Sequence, residues 1–143
     1  MIKSVFKSYA IYKIVQQKIK EIEKAIIAIL ERRGEEFVAE CRSQNTWSDD
    51  TGNLRSSIAY FIYKGSTLIS SNNAGSSQGV QAALNAANTV KRKDGTYYLI
   101  GVAGMNYAAA VESKGYNVIS TQALQIIPLI EGDFKKLKNK LSA

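Results

Sequence analysis

Apolar residues return along the first third of the chain at Val15, Ile19, Ile22, Ile26, Ile29 or Leu30, Phe37 and Cys41. The steps are three and four, with one double step before Phe37. That period puts them on one face of an α-helix and on alternating faces of a strand, so only the helix gathers them into a stripe. Lys18, Lys20, Glu21, Glu23, Lys24, Glu31, Arg32, Arg33, Glu35 and Glu36 lie between them. Favourable spacings such as Glu21–Lys24 contribute only tenths of a kcal/mol, so the stripe governs the assignment. The pattern predicts a helix over residues 12–43. Gly34 costs roughly 1 kcal/mol relative to Ala inside it and is expected to mark a bend. A helix longer than the usual three or four turns either lies across a sheet or projects to a partner.

Residues 44–53 are turn and cap formers, among them Asn45, Asp49, Asp50, Gly52 and Asn53. Leu54 to Ile58 reads as one helical turn. An aromatic and β-branched run follows to Lys64, then Gly65-Ser66, then a returning strand over 67–70, which makes a hairpin. Residues 71–79 are polar and loop-like. The Ala-rich stretch 80–90 suits a short helix, and Lys91-Arg92-Lys93-Asp94-Gly95 an exposed turn. The whole 71–95 segment is read as a flexible insertion between strands. The strongest strand signal covers 96–104. A short helix over 107–113, a last strand over 117–120 and a C-terminal helix carrying Ala123, Ile127, Ile130, Phe134, Leu137 and Leu141 complete the order. Pro128 is expected to kink or restart that helix. The fold class is therefore α+β: a long N-terminal helix and a C-terminal helix packed on one face of a small antiparallel sheet. All 143 residues form one domain in this reading, since no linker or repeat divides them.

Composition narrows the function. One cysteine, Cys41, excludes an intrachain disulfide and suits a reducing compartment. Its place on the stripe makes it a small buried hydrophobe rather than a nucleophile. No signal-peptide core or membrane-length apolar run is present, so the chain is read as soluble and cytoplasmic at synthesis. The net charge of +7 is spread along the chain, with one dense cluster at Lys91, Arg92 and Lys93. Dedicated nucleic-acid surfaces more often carry a basic stripe with aromatics between.

Catalytic chemistry has little to stand on. Histidine is absent, removing the usual general base and the commonest metal ligand. Asp49-Asp50 reads as a pair of solvated caps, since no matching carboxylate pattern follows. Gly101-Val102-Ala103-Gly104 lacks the spacing of a dinucleotide turn, and no phosphate loop or nucleophile elbow occurs. No enzyme, metal site or cofactor is expected.

Two local patterns point elsewhere. Thr51-Gly52-Asn53-Leu54-Arg55-Ser56-Ser57-Ile58 follows the long amphipathic helix. Gly104-Met105-Asn106-Tyr107-Ala108-Ala109-Ala110-Val111-Glu112 follows the best strand, with Gly115-Tyr116-Asn117-Val118-Ile119 and a final helix behind it. In this order and with these flanks the chain resembles the neck, head–tail joining and tail-completion (minor tail) proteins of long-tailed bacteriophages, from about residue 14 to 141. It departs from them at Ala110, where an aromatic is common, and in the Gly/Ala/Ser-rich stretch 71–88.

The resemblance implies a structural virion protein at the head–tail joint, with about six copies closing head-to-tail into a ring around the DNA channel. Portal-side connector and tail proteins would be its neighbours. From the residues themselves, Leu54 and Ile58 dock on the core, Arg55 faces outward, and Tyr107 packs with Val111 while Glu112 stays at the edge. Trp47 is a core anchor or an interface hot spot. Trp47, Asn53, Arg55, Tyr107 and Glu112 are the candidate subunit contacts, and Lys91, Arg92 and Lys93 the candidate contact to DNA or a partner. A tail-terminator ring and a basic nucleic-acid-binding protein are the alternatives.

Overall fold

The computed structural model describes residues 2–43, 53–73, 77–104 and 119–142, and the side chains among them apart from those of 2–8 and 53. The order is α1 (Ile2–Arg42), α2 (Asn53–Ser56), β1 (Ile58–Lys64), β2 (Thr67–Asn72), α3 (Ser77–Asn88), β3 (Tyr97–Ala103) and α4 (Ser120–Ser142). At 1.5 Å per residue α1 is about 60 Å long. It starts well before the expected residue 12. α4 is one helix with Pro128 inside it, so it does not restart there. It begins at Ser120, a residue expected to end the last strand. The helix expected over 107–113 and residues 117–118 of that strand lie outside the described residues, and Ile119 is a bend rather than strand.

The sheet has the order β2-β1-β3, antiparallel throughout, with a register irregularity between Ile62 and Tyr63. β1 is its centre, and its first six residues are all buried. Their side chains alternate between two cores. Ile58, Tyr60 and Ile62 join Leu30, Phe37, Val38, Cys41 and Leu54, with Ala123, Ile126 and Phe134 of α4 packed against them. Ala59, Phe61 and Tyr63 join Ala83 and Ala87 of α3, with Ile100 and Val102 of β3. The terminal helices thus share one face of the sheet, as the pattern predicts, and α3 covers the other. A strand buried on both sides reads as a continuous apolar run, which is what 58–63 is. Ala83 and Ala87, both fully buried, let the α3 backbone come down onto Phe61 and Tyr63. Of the 71–95 segment, then, 77–88 is a layer of the fold, and Asn73 donates to the Val80 carbonyl (3.1 Å) to tie β2 to it.

Two glycines set how close α1 sits. A Cβ on Gly34 would stand 2.7 Å from ring carbons of Tyr60, and one on Gly101 would stand 2.6 Å from Phe37. α1 continues through Gly34 without interruption. The residue is small because a tyrosine ring occupies the space beside it.

Candidate interaction surfaces

The turn after α1 is held by two arginines that bind each other's backbone. Arg42 donates from Nε to the Arg55 carbonyl (3.2 Å) and from Nη2 to the Ile58 carbonyl (2.7 Å). Arg55 in return donates from Nη1 to the Arg42 carbonyl, one of the last carbonyls of α1. Helix ends leave such carbonyls without intrahelical donors, so the exchange satisfies α1 and fixes the entry into β1. Burial lowers the pKa of Arg42 from its ordinary value, against the opposing pull of Glu35. Leu54 and Ile58 are fully buried, as their spacing predicts. Arg55 is half-buried rather than facing outward: its guanidinium is drawn in by the Arg42 carbonyl, a partner that a sequence pattern does not reveal.

The basic cluster divides. Arg92 stacks over the Tyr63 ring with its guanidinium carbon 3.8 Å from the centroid. It also donates to the carbonyls of Gly65 (3.0 Å) and Val90 (3.2 Å), bridging the β1–β2 turn and the end of α3. Lys91 and Lys93 are exposed. The Lys93 backbone N–H donates to the Tyr98 hydroxyl (2.9 Å), which holds the turn in place. Of the three candidate DNA or partner contacts, only the two lysines present their charge to solvent.

Between α1 and α4 lies an ion-pair network. Arg33 grips Asp133 with two bonds, Nε to Oδ2 at 2.6 Å and Nη2 to Oδ1 at 3.0 Å, and reaches Glu36 at 2.7 Å. Arg32 adds a contact to Asp133 at 3.0 Å. The hydrogen bonds from Arg33, joined by Arg32, hold the Asp133 carboxyl down at about 2 against the opposing effect of burial. On the other side of α1, Glu35 accepts from the Tyr60 hydroxyl and from Asn72, both at 2.9 Å. Burial first, and then that bond to Glu35, push the Tyr60 phenol up to about 12. Glu23 pairs with Lys64 at 2.6 Å, and Lys64 lies over the Tyr97 ring. These links run from helix to sheet or helix to helix, so they orient elements and leave no group poised for chemistry. Among the described residues no group of His, Cys, Asp or Glu is placed to hold a metal.

Besides the scattered Leu68, Val90 and Leu141, exposed large apolar side chains gather in two places among the described residues. Every residue from 9 to 21 of α1 is exposed, including Tyr9, Ile11, Tyr12, Ile14, Val15 and Ile19. The stripe that predicts the helix is therefore buried only in its second half. On α4, Leu124 (73% exposed), Ile127 and Leu129 face outward. Ile127 also borders an apolar groove of about 220 Å³ between α1, the sheet and α4, floored by Phe37, Tyr60 and Gly101.

Of the candidate subunit contacts, Arg55 is described above, and Asn53 is described only as the first residue of α2. Trp47, Tyr107 and Glu112 lie outside the described residues, as do Asp49 and Asp50. Sequence reasoning missed Asp133. The exposed tip of α1 is the projecting alternative that the length of the stripe had left open.

The sequence model of one family, described as "Bacteriophage HK97-gp10, putative tail-component", matches residues 13–113, well over half of the chain. No curated protein and no solved structure matches it.

Proposed function

We propose that the chain, which belongs to the HK97-gp10-like family of bacteriophage tail components, closes into a ring at the head–tail joint. Family membership supports a structural virion role, exercised through contact with other virion proteins. The ring rests on one observation in particular: Leu124 and Ile127, exposed and one turn apart on α4, with Ile127 at the rim of the apolar groove. Exposed apolar residues gathered beside an apolar groove mark an interaction surface more often than an idle one. The opposite layer, α3, is a different kind of surface, with Gln78, Gln81 and Asn85 around its outer hollow. Two unlike faces on one chain favour a head-to-tail contact, and such contacts form rings when the rotation closes.

About six copies around the DNA channel, between a portal-side connector and the tail, is the arrangement this reading takes. Trp47, Asn53, Tyr107 and Glu112 remain its candidate subunit contacts, and Arg55 joins them through its turn rather than as a free charge. Synthesis in the host cytoplasm precedes incorporation into the virion. Among the described residues no helix is long and apolar enough to cross a membrane.

Electron microscopy of particles made with the gene silenced tests the placement. Filled or leaking heads beside separate tails of normal length are expected. Tails of uncontrolled length would move the chain to a tail-terminator ring. Normal particles would sink both and leave the exposed Lys91 and Lys93 to be examined as a DNA contact.

A further inference from the structure

We infer that the N-terminal half of α1 is a docking helix for an acidic, helical surface of a different protein. Tyr12, Val15 and Ile19 continue, at steps of three and four, into Ile22 and Ile26. At Ile26 this ridge packs into the core against which α4 also rests, and Ile26 and Phe134 of α4 belong to the same cluster. Toward the N-terminus the same ridge runs on uncovered: Tyr12 is 60% exposed, Val15 48% and Ile19 43%, with Ile11 and Ile14 widening it. A bare apolar ridge cut at helical spacing suits a helix.

Charge selects the kind of helix. Residues 2–20 carry Lys3, Lys7, Lys13, Lys18 and Lys20 and no acidic residue. Lys13 sits 4.9 Å over the Tyr9 ring, which keeps one of these charges beside the ridge. The first turn of α1 has no acid either, so the positive end of the helix dipole adds to the lysines. Glu21 shares a hollow with Val15 and Lys18 and leaves the lysines in excess, and Glu23 is already paired with Lys64. A second copy of this segment would bring lysines against lysines in either orientation, whereas an apolar seam flanked by Glu or Asp answers both the ridge and the charge. Duplex DNA would answer the lysines and leave Ile11, Ile14, Val15 and Ile19 in water. The inference extends the family assignment and does not depend on the ring.

The test uses the full chain and two synthetic heptad-repeat helical peptides with the same Leu/Ile seam, one with Glu and one with Lys at the flanking positions. Fluorescence anisotropy should show the acidic peptide binding at least tenfold more tightly, with affinity falling several-fold as salt rises from about 0.05 to 0.5 M. The double variant Val15→Glu/Ile19→Glu should lose at least tenfold in that affinity. Both sites are exposed, so its circular dichroism and melting temperature should match those of the parent chain. Lys13→Glu/Lys18→Glu/Lys20→Glu should reverse the preference toward the basic peptide. Equal binding of the two peptides, or none of either, overturns the inference. So does tight binding to a 30-base-pair duplex or to phosphatidylglycerol vesicles that the Val15→Glu/Ile19→Glu change abolishes. Micromolar self-association lost in that variant would overturn it in favour of a second copy.

Discussion

Gly34 of α1 lies so close to the face of Tyr60 that a methyl group there would stand 2.7 Å from the ring. The relationship has a mirror image next to it. Gly101, the cross-strand partner of Tyr60, gives its space to Phe37, one turn along α1 from Gly34. Helix glycine meets strand aromatic, and strand glycine meets helix aromatic. The pair sets the distance and register of α1 on the sheet.

That arrangement decides between two opposing effects of one substitution. Gly34→Ala gains about 1 kcal/mol of helix propensity but forces a contact that costs about 1–3 kcal/mol of overpacking. A lower melting temperature is expected. Gly132→Ala in α4 is the control, because nothing lies within 4 Å of its added Cβ. It should stabilise by about 0.5–1 kcal/mol. Thermal melts of both variants check the contrast, and a stabilised Gly34→Ala would contradict the packing.

Arg55→Ala should destabilise by about 1 kcal/mol, because the Arg42 carbonyl loses its donor. Chemical denaturation of Arg55→Ala, Arg42→Ala and the double variant measures the coupling between them. Each guanidinium donates to a backbone carbonyl that survives truncation of the other side chain, so a double variant clearly worse than either single one is expected. A double variant no worse than Arg42→Ala alone would mean that the Arg55 bond contributes nothing once Arg42 is gone.

The basic cluster should separate by role. Arg92→Ala is expected to lower stability by about 1–2 kcal/mol through the lost stacking on Tyr63 and the lost carbonyl contacts. Lys91→Glu with Lys93→Glu should leave the melt within about 0.5 kcal/mol of the parent chain. If the lysines touch DNA, that double change also flattens the salt dependence of duplex binding by the free chain.

Two pH edges follow from the ionisable pairs. Asp133 is held at about 2, below its ordinary 3.8, so its contribution is complete above about pH 4. It is lost as pH falls toward 2, because the unfolded chain takes up the proton first. Tyr60 is raised to about 12 from 10.0, so the folded state keeps a proton that the unfolded chain gives up. Its contribution is complete below pH 10 and is lost as pH rises toward 12. Asp133→Asn should flatten the acid edge and Tyr60→Phe the alkaline one in denaturation midpoints taken across pH. At neutral pH Asp133→Asn should cost about 1 kcal/mol, since the network reaches solvent at its rim.

The sequence by itself determined the elements and their order. Helical period, strand composition and turn residues act over a few neighbours, so α1, the β1–β2 hairpin, β3 and α4 were legible in the spacing of Val15 to Cys41, in the run 58–63 and in Gly65-Ser66. The Thr51–Ile58 pattern and its partner at 104–112 also carried the family. Tertiary structure alone decided where each face went. The same stripe is buried at Leu30 and bare at Val15, because the sheet that covers it ends. Arg55 and Arg92 turned inward because carbonyls and a Tyr63 ring from distant positions in the chain met them. Arg33 found Asp133, one hundred residues away, only once α1 and α4 lay side by side. Period and propensity are local properties of the chain; burial and partnership are set by whatever the fold brings alongside.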